Sequence, residues 1–540
     1  MNGHATMNRI YRLVWSHHSE AWVAVAEIAR GRGKRSGVVG SEMQVEKGAK
    51  AVRRSAAGDG PGPWLGWREG LLGAALLSMG MTAFAAPPTN QLPTGGSVVA
   101  GQAAISQSGA RMDINQSSSR AVIDWSSYNV GAAAQVNYNQ PSAASATLNR
   151  VMDTQASQIL GKITANGQVL LVNPNGVYFG KTASVDVGGL VASTKDISNE
   201  NFMSGNMKFS RNGATGSVVN EGELRTALGG YIALLAPEVR NEGLIVAQMG
   251  TVALASGESV TLQFDGNNSL AGIVVEPSKI KALVENKGAV LAPGGVIILS
   301  ARSLDRLQGG IVRNSGKLEA TGLTMKGGKI VLEASDRIEN AGTISANAGS
   351  DGSPAGEVTL AAPAIVNSGV IAARGQAASA APVASAVQGG SIKLAADTIT
   401  QSAGAKLDVS SVGKAGTIVV EATADIALSG TVEAASDEGA GGEIGLSAGN
   451  NITLAGATVD ASGATAGGRI KVEGNDRHAP IDPAQTPPTV AILGNSVLRT
   501  SSRRGQGGNV TLTGGHVGLF DDTLIDASGA SGGGAVLVGG

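Results

Sequence analysis

Asp521, Asp522 and Asp526, close together near the last residue, form the densest set of side chains able to do acid–base chemistry. A pair of carboxylates, one protonated and one ionised, is what glycan cleavage uses. The local context argues for a different role. Asp526-Ala527-Ser528-Gly529 repeats Asp460-Ala461-Ser462-Gly463, so this acid belongs to a recurring turn. Other chemistries have little to draw on. The chain has no Cys, and of its five His only His478 and His516 lie beyond residue 86, neither near an obvious partner. Thiolate metal sites and Cys/His nucleophiles are therefore excluded. Neither a Walker loop nor a Gly-Gly-x-Gly-x-Asp calcium repeat occurs. No catalytic residue, metal or cofactor is expected. Arg302, Arg306, Lys326, Lys329 and Arg337 make a mildly basic zone, compatible with a glycan-binding strip or with solvated outward positions. The net charge of −1 gives no field to favour a nucleic-acid partner.

The elements that carry these residues are repeats. From about residue 230 a frame recurs: Gly-Gly, any residue, Ile/Val, any residue, Leu/Val. It reads Gly229-Gly230-Tyr231-Ile232-Ala233-Leu234, Gly327-Gly328-Lys329-Ile330-Val331-Leu332 and Gly389-Gly390-Ser391-Ile392-Lys393-Leu394, and returns at Gly441, Gly467 and Gly507. Gly390, Gly416, Gly442 and Gly468 are spaced 26 residues apart. Alternation of period two marks strands with one buried and one wet face. Further short strands follow each frame, often after Asn-x-Gly: Asn314-Ser315-Gly316, Asn340-Ala341-Gly342 and Asn367-Ser368-Gly369. Glycine turns, two or three short strands per repeat and no helical pattern predict an all-β, right-handed parallel β-helix. A composition of 79 Gly with only 3% aromatics suits a narrow core of stacked aliphatic side chains.

The N-terminal region reads differently. Met7 to Arg35 is basic and carries Tyr11, Trp15 and Trp22, and an apolar run from Leu71 ends in Ala83-Phe84-Ala85. These are the parts of a signal peptide, with cleavage expected between Ala85 and Ala86. The stretch from Met7 to Lys34 resembles the extended signal peptide region of large Gram-negative exoproteins.

Residues 86–215 read as strands broken by turns. In Asn173-Pro174-Asn175-Gly176, Pro174 fixes its own φ and holds Asn173 extended, and Asn175 and Gly176 tolerate positive φ. This tight turn sits within an ordered series of segments: Ala121–Tyr128 with Trp125, Val136–Pro141, Leu148–Val151, Ile159–Gly161 and Val187–Thr194. In that order they resemble the two-partner secretion domain of the filamentous haemagglutinin family. A further Asn-Pro-Asn-Leu motif of some relatives has no counterpart.

The resemblance implies three regions: 1–85, extended signal peptide; 86–215, a secretion domain capping the helix; and 216–540, β-helical repeats. It implies export by the general secretory machinery, then recognition by a dedicated outer-membrane β-barrel transporter. Folding at the cell surface would help draw the chain outward without ATP. Asn173, Pro174, Asn175 and Gly176 are the expected recognition or folding determinants, and Trp125 is expected to pack in the first coils. The implied function is a secreted, non-enzymatic adhesin that meets glycans or proteins of host or neighbouring cells. The alternatives are the stalk of a contact-dependent inhibition toxin or haemolysin, a polysaccharide-active β-helix enzyme, and capture of a haem carrier. Gly533-Gly534-Ala535-Val536 reopens the frame at the last residues, giving the expectation of a longer exoprotein.

Overall fold

The structure, a computed structural model, describes residues 11–16, 21–26 and 86–539, except 267, 305–308, 377–386 and 475–487. In the N-terminal region Tyr11–Ser16 pairs antiparallel with Ala21–Ala26. The apolar run from Leu71 and the Ala85 side of the expected cleavage point lie outside the described residues; Ala86 is exposed and outside any strand.

From residue 111 onward the chain winds as a parallel β-helix with three faces. One coil shows the plan. The frame strand Glu357–Ala361 lies on the first face, Ala364–Asn367 on the second, and Val370–Ala372 on the third. Each stacks in parallel on its counterpart one coil earlier: Lys329–Ala334, Arg337–Asn340 and Thr343–Ser345. Identical positions therefore form columns. On the first face the inward pair runs Val252, Ile297, Ile330, Val358, Ile392, Ile418, Ile444, Ile470 and Val510, with Leu254, Leu299, Leu332, Leu360 and Leu394 beside it. These side chains are fully buried, whereas from the strand Lys329–Ala334 onward the outward residue between them is partly or fully exposed, as Lys393 is beside Glu421 at 2.8 Å. Antiparallel pairs Ala103–Ser108 with Arg111–Gln116 and Ser97–Ala100 with Arg120–Trp125 close the N-terminal end of the stack.

The glycines of the frame mark close approach between coils. A Cβ on Gly416 would lie 2.0 Å from the Gly390 carbonyl oxygen, and one on Gly442 would lie 2.1 Å from that of Gly416. The 26-residue spacing is thus a column of backbone contacts too tight for any side chain.

The Asn-x-Gly segments differ from their expected role as turns. Asn314, Asn340 and Asn367 end the second-face strands. With Asn220, Asn241 and Asn286 they form a buried column in which each Nδ2 donates to the next Oδ1 at 2.8 Å. Asn367 Nδ2 then reaches Gln401 Oε1 at 3.5 Å. Beyond it Leu428, Leu454 and Ile492 occupy the same register position, so the column turns from amide to aliphatic. Each glycine in the motif again lets a carbonyl approach: a Cβ on Gly342 would be 2.1 Å from Gly316 O.

Two further features depart from the sequence reading. A short helix, Asn199–Ser204, is capped by Ser198, whose side chain accepts from the Asn201 N–H, and ends at Gly205 with φ 86°. Strands Lys208–Ser210, Ser259–Phe264 and Leu270–Glu276 form a separate antiparallel sheet. Helix and sheet cover the outside of the first face, so Leu148, Leu170, Val191, Ala233 and Ala253 are as buried as the inner column. Lys195 is completely buried under this layer, and its Nζ donates to Gly257 O at 2.7 Å. Burial lowers its pKa to about 8, with Glu258 opposing that fall and Arg211 adding to it.

Two outcomes are expected. Asn286→Ala takes from Asn241 Nδ2 its 2.8 Å acceptor, leaving the longer contacts to Gly243 O and Ala289 O, and takes from Asn314 Oδ1 its donor, at roughly 1–3 kcal/mol for each buried bond lost. Hydrogen exchange should accelerate about tenfold or more across residues 282–291 and 310–314 and stay unchanged at 451–455, where the column is aliphatic. Lys195, whose folded pKa lies below its unfolded one, disfavours the fold while charged, and stability should climb as pH rises from about 8 toward the ordinary lysine value. The urea midpoint of Lys195→Met should exceed wild type at pH 7.5 and lose that advantage by pH 9.5. Parallel pH profiles for the two proteins would show that burial of the ammonium carries no such penalty.

Candidate functional site: the Asn173–Gly176 turn

The strand Gln168–Val172 leaves the first face and Val177–Phe179 opens the second, so residues 173–176 form a corner of the helix. The turn is closed by the Gly176 N–H donating to Asn173 O at 3.0 Å. Gly176 takes φ 128°, a value that L side chains rarely adopt. Asn175, expected to share that freedom, is not among the positive-φ residues; its side chain works instead.

The four residues divide by exposure. Asn173 is fully buried and Gly176 is buried, while Pro174 and Asn175 face solvent. Asn173 ties three segments together. Its Oδ1 accepts from the Asn175 N–H at 3.0 Å, its Nδ2 donates to Gln155 O at 2.9 Å and Ser157 Oγ at 3.0 Å, and its N–H donates to Ser193 O at 2.9 Å. Asn175 Nδ2 donates to Asp153 O at 2.7 Å. The corner below, residues 153–157, is thus bonded to the turn. The corner above presses on it: a Cβ at Gly216 would fall 2.5 Å from the Asn175 carbonyl carbon and 2.7 Å from Pro174 O. The turn is a structural clamp that displays Pro174 and Asn175 at the surface. Met152, 66% exposed on the strip leading into Asp153, extends that surface and was not singled out in the sequence.

The coils that carry the turn are stiffened by buried polar side chains. Trp125 is 1% exposed and packs edge-on against Tyr128, with ring centroids 5.5 Å apart. Its Nε1 and the Tyr138 hydroxyl both donate to Asn149 Oδ1 at 3.0 Å, and Asn149 Nδ2 donates to Leu170 O at 3.1 Å. The Tyr128 and Tyr138 hydroxyls lie 2.6 Å apart, and burial raises the pKa of both. Arg150 joins coil to outer layer: its guanidinium donates to Asp124, Asp196, Asn199 and the Ile197 carbonyl.

The C-terminal carboxylates have turn partners. Asp526 Oδ1 accepts from the Ser528 N–H at 3.0 Å, and hydrogen bonding to Ser528 holds its pKa below the usual carboxylate range. Asp460 Oδ1 likewise accepts from the Ser462 N–H at 2.8 Å, and Arg499 lies between the two acids, 3.4 Å from Asp460 and 3.7 Å from Asp526. Asp521 Oδ2 accepts from the Gly494 N–H at 2.7 Å. A carboxyl held ionised by its own turn is poorly suited to act as a general acid. In the basic zone Arg302 meets Glu333 at 2.9 Å, Lys329 meets Glu357 at 3.5 Å and Arg337 meets Glu339 at 3.3 Å; Arg306 lies outside the described residues. Among the described residues no cluster of His, Asp and Glu has a metal-holding geometry.

Comparison with known proteins shows which families the chain matches. Residues 88–346 match the TPS secretion domain family, and residues 7–58 match the extended signal peptide of the type V secretion system. A heme/hemopexin-binding protein of Haemophilus influenzae strain Rd is 39% identical over 252 residues, covering 45% of this chain and 27% of that protein. A second heme/hemopexin-binding protein of Haemophilus influenzae is 34% identical over 250 residues, covering 42% of this chain and 26% of its own length. The chain therefore spans about a quarter of the length of these relatives. The crystal structure of the HMW1 secretion domain from Haemophilus influenzae shares the fold, with a TM-score of 0.50 and 24% identity over 83% of this chain and 100% of that one. A TPS secretion domain implies an outer-membrane transporter as its partner. The chain is a two-partner secretion exoprotein, carrying an extended signal peptide ahead of a TPS secretion domain and secreted through the outer membrane.

Proposed function

We propose that the coils around Asn173–Gly176 are where the transporter takes hold of this exoprotein and where its folding outside the cell begins. Asn173 and Gly176 set the corner; Pro174 and Asn175 are the contact residues. The observation that carries this is the division of the turn into buried, hydrogen-bonded residues and exposed ones. A template already built lets each later coil add at low entropic cost, because it meets a full edge of backbone donors and acceptors. Such stacking supplies a driving force for export with no nucleotide hydrolysis.

For the exported product we propose capture of a haem-bearing carrier protein, without enzymatic activity. The names of the two curated relatives support this over adhesion, which the family resemblance and the repeat architecture suggested. The carrier is expected to bind outward residues and corner loops, since the core is filled by aliphatic and amide columns.

Two measurements test these readings separately. In a strain producing the chain and its transporter, Pro174→Ala with Asn175→Ala should lower secretion at least about tenfold. The purified double variant should keep the wild-type circular dichroism spectrum and lose less than about 1 kcal/mol, as surface changes do. Wild-type export of this variant would remove the contact role. Asn173→Ala is expected instead to destabilise the corner, seen as faster exchange at residues 153–157 and 177–179. For the second reading, the secreted wild-type protein should retain hemopexin on a sensor surface in a saturable way. Retention of host-cell glycans or intact cells, with none of hemopexin, would favour adhesion.

A further inference from the structure

The outer layer is made of two pieces far apart in the chain. The first, residues 195–211, includes the helix Asn199–Ser204 and the strand Lys208–Ser210. The helix is anchored on coils that precede it: Arg120 donates to Phe202 O at 2.8 Å and Arg150 to Asn199 at 2.9 Å. The strand is different. Apart from the bridge between Asp196 and Ser210, its partner is Ser259–Thr261, which lies beyond two more turns of the helix.

The second piece, residues 257–276, supplies the remaining closure. Its Gly257 carbonyl receives Lys195 Nζ at 2.7 Å. Glu258 receives both the N–H and the guanidinium of Arg211, at 2.9 and 3.0 Å. Leu262 N–H donates to Met207 O at 3.0 Å, and Glu276 meets Lys208 at 3.1 Å. Val260, Leu262, Leu270 and Val275 cover the outward apolar face that includes Tyr231, Ala233 and Ala253. The buried apolar coil residues in this cluster belong to strands that end by Ser256, although Leu270–Glu276 also approaches the later strand Val296–Ala301.

We infer that residues 257–276 are a delayed clasp: the coils up to Ser256 stack first, with part of their outer apolar face and Lys195 still uncovered, and the clasp then shuts both at once. The inward columns and ladder bonds of the coils are complete without the clasp, which adds a side-chain bond from Thr251 Oγ1 to Leu270 O at 2.6 Å. The strand Lys208–Ser210 does need it, because among the described residues its ladder bonds have no other strand to meet. Chain order fixes the sequence of events wherever the chain is delivered from its N-terminal end. The inference stands apart from the roles proposed for Pro174, Asn175 and hemopexin.

Refolding of the unmodified full chain from denaturant, with pulse-labelled hydrogen exchange read by mass spectrometry, tests the order. Amides of 168–172 and 231–235 should gain protection first, and those of 207–211 in the same later phase as 259–264. Protection of 207–211 together with 168–172, ahead of 259–264, would overturn the inference. In the native full chain, Val260→Asp should speed exchange at 207–211 by about tenfold or more, the scale of a local opening, and leave 168–172 as in wild type. Unchanged exchange at 207–211, or loss of protection at 168–172 as well, would count against a clasp that closes on coils already standing.

Discussion

Every coil of this protein must lay its backbone one strand spacing, about 4.8 Å, above the coil before it. That demand explains the repeated glycines better than turn geometry does. At Gly416, Gly442 and Gly342 the neighbouring carbonyl approaches to within 2.0–2.1 Å of where a side chain would begin. Once the backbones are that close, side chains must stack like on like. Aliphatic residues accept this readily. Polar ones are tolerated inside only if each satisfies the next, which the amide column from Asn220 to Asn367 achieves.

Much of this was legible in the sequence because it repeats. The alternation in Lys329–Ala334 announces a strand with one wet side, and the structure places Ile330 and Leu332 inside as expected. The recurring Asn-x-Gly was visible too, but its meaning was not. A turn and a buried column ask for the same two residue types, one for hydrogen bonding and one for missing bulk. Only the stacked register, with Asn286 above Asn241 and below Asn314, distinguishes them.

The outer layer was hidden for the opposite reason: it occurs once. Residues 199–210 and 259–276 repeat nothing and lie far apart in the chain. Their trace is indirect. Gln168–Val172 and Thr251–Ser256 are apolar or small on both sides, unlike later frame strands, and a strand without a wet face must be covered. The candidate turn was legible as a turn, whereas its partners Gln155, Ser157 and Asp153 come from the preceding coil. Short-range pattern reading cannot supply neighbours that the winding creates.

The amide column also has a polarity. Every Asn in it donates toward the C-terminal side, and each after Asn220 accepts from the N-terminal side. Genetic change meets this as a rule of whole numbers. Duplication or excision of a complete coil within the column joins donor to acceptor as before, while a partial one strands both. Such genes can lengthen or shorten in discrete steps, with irregular additions confined to the corners, so the architecture itself channels how its descendants vary in size.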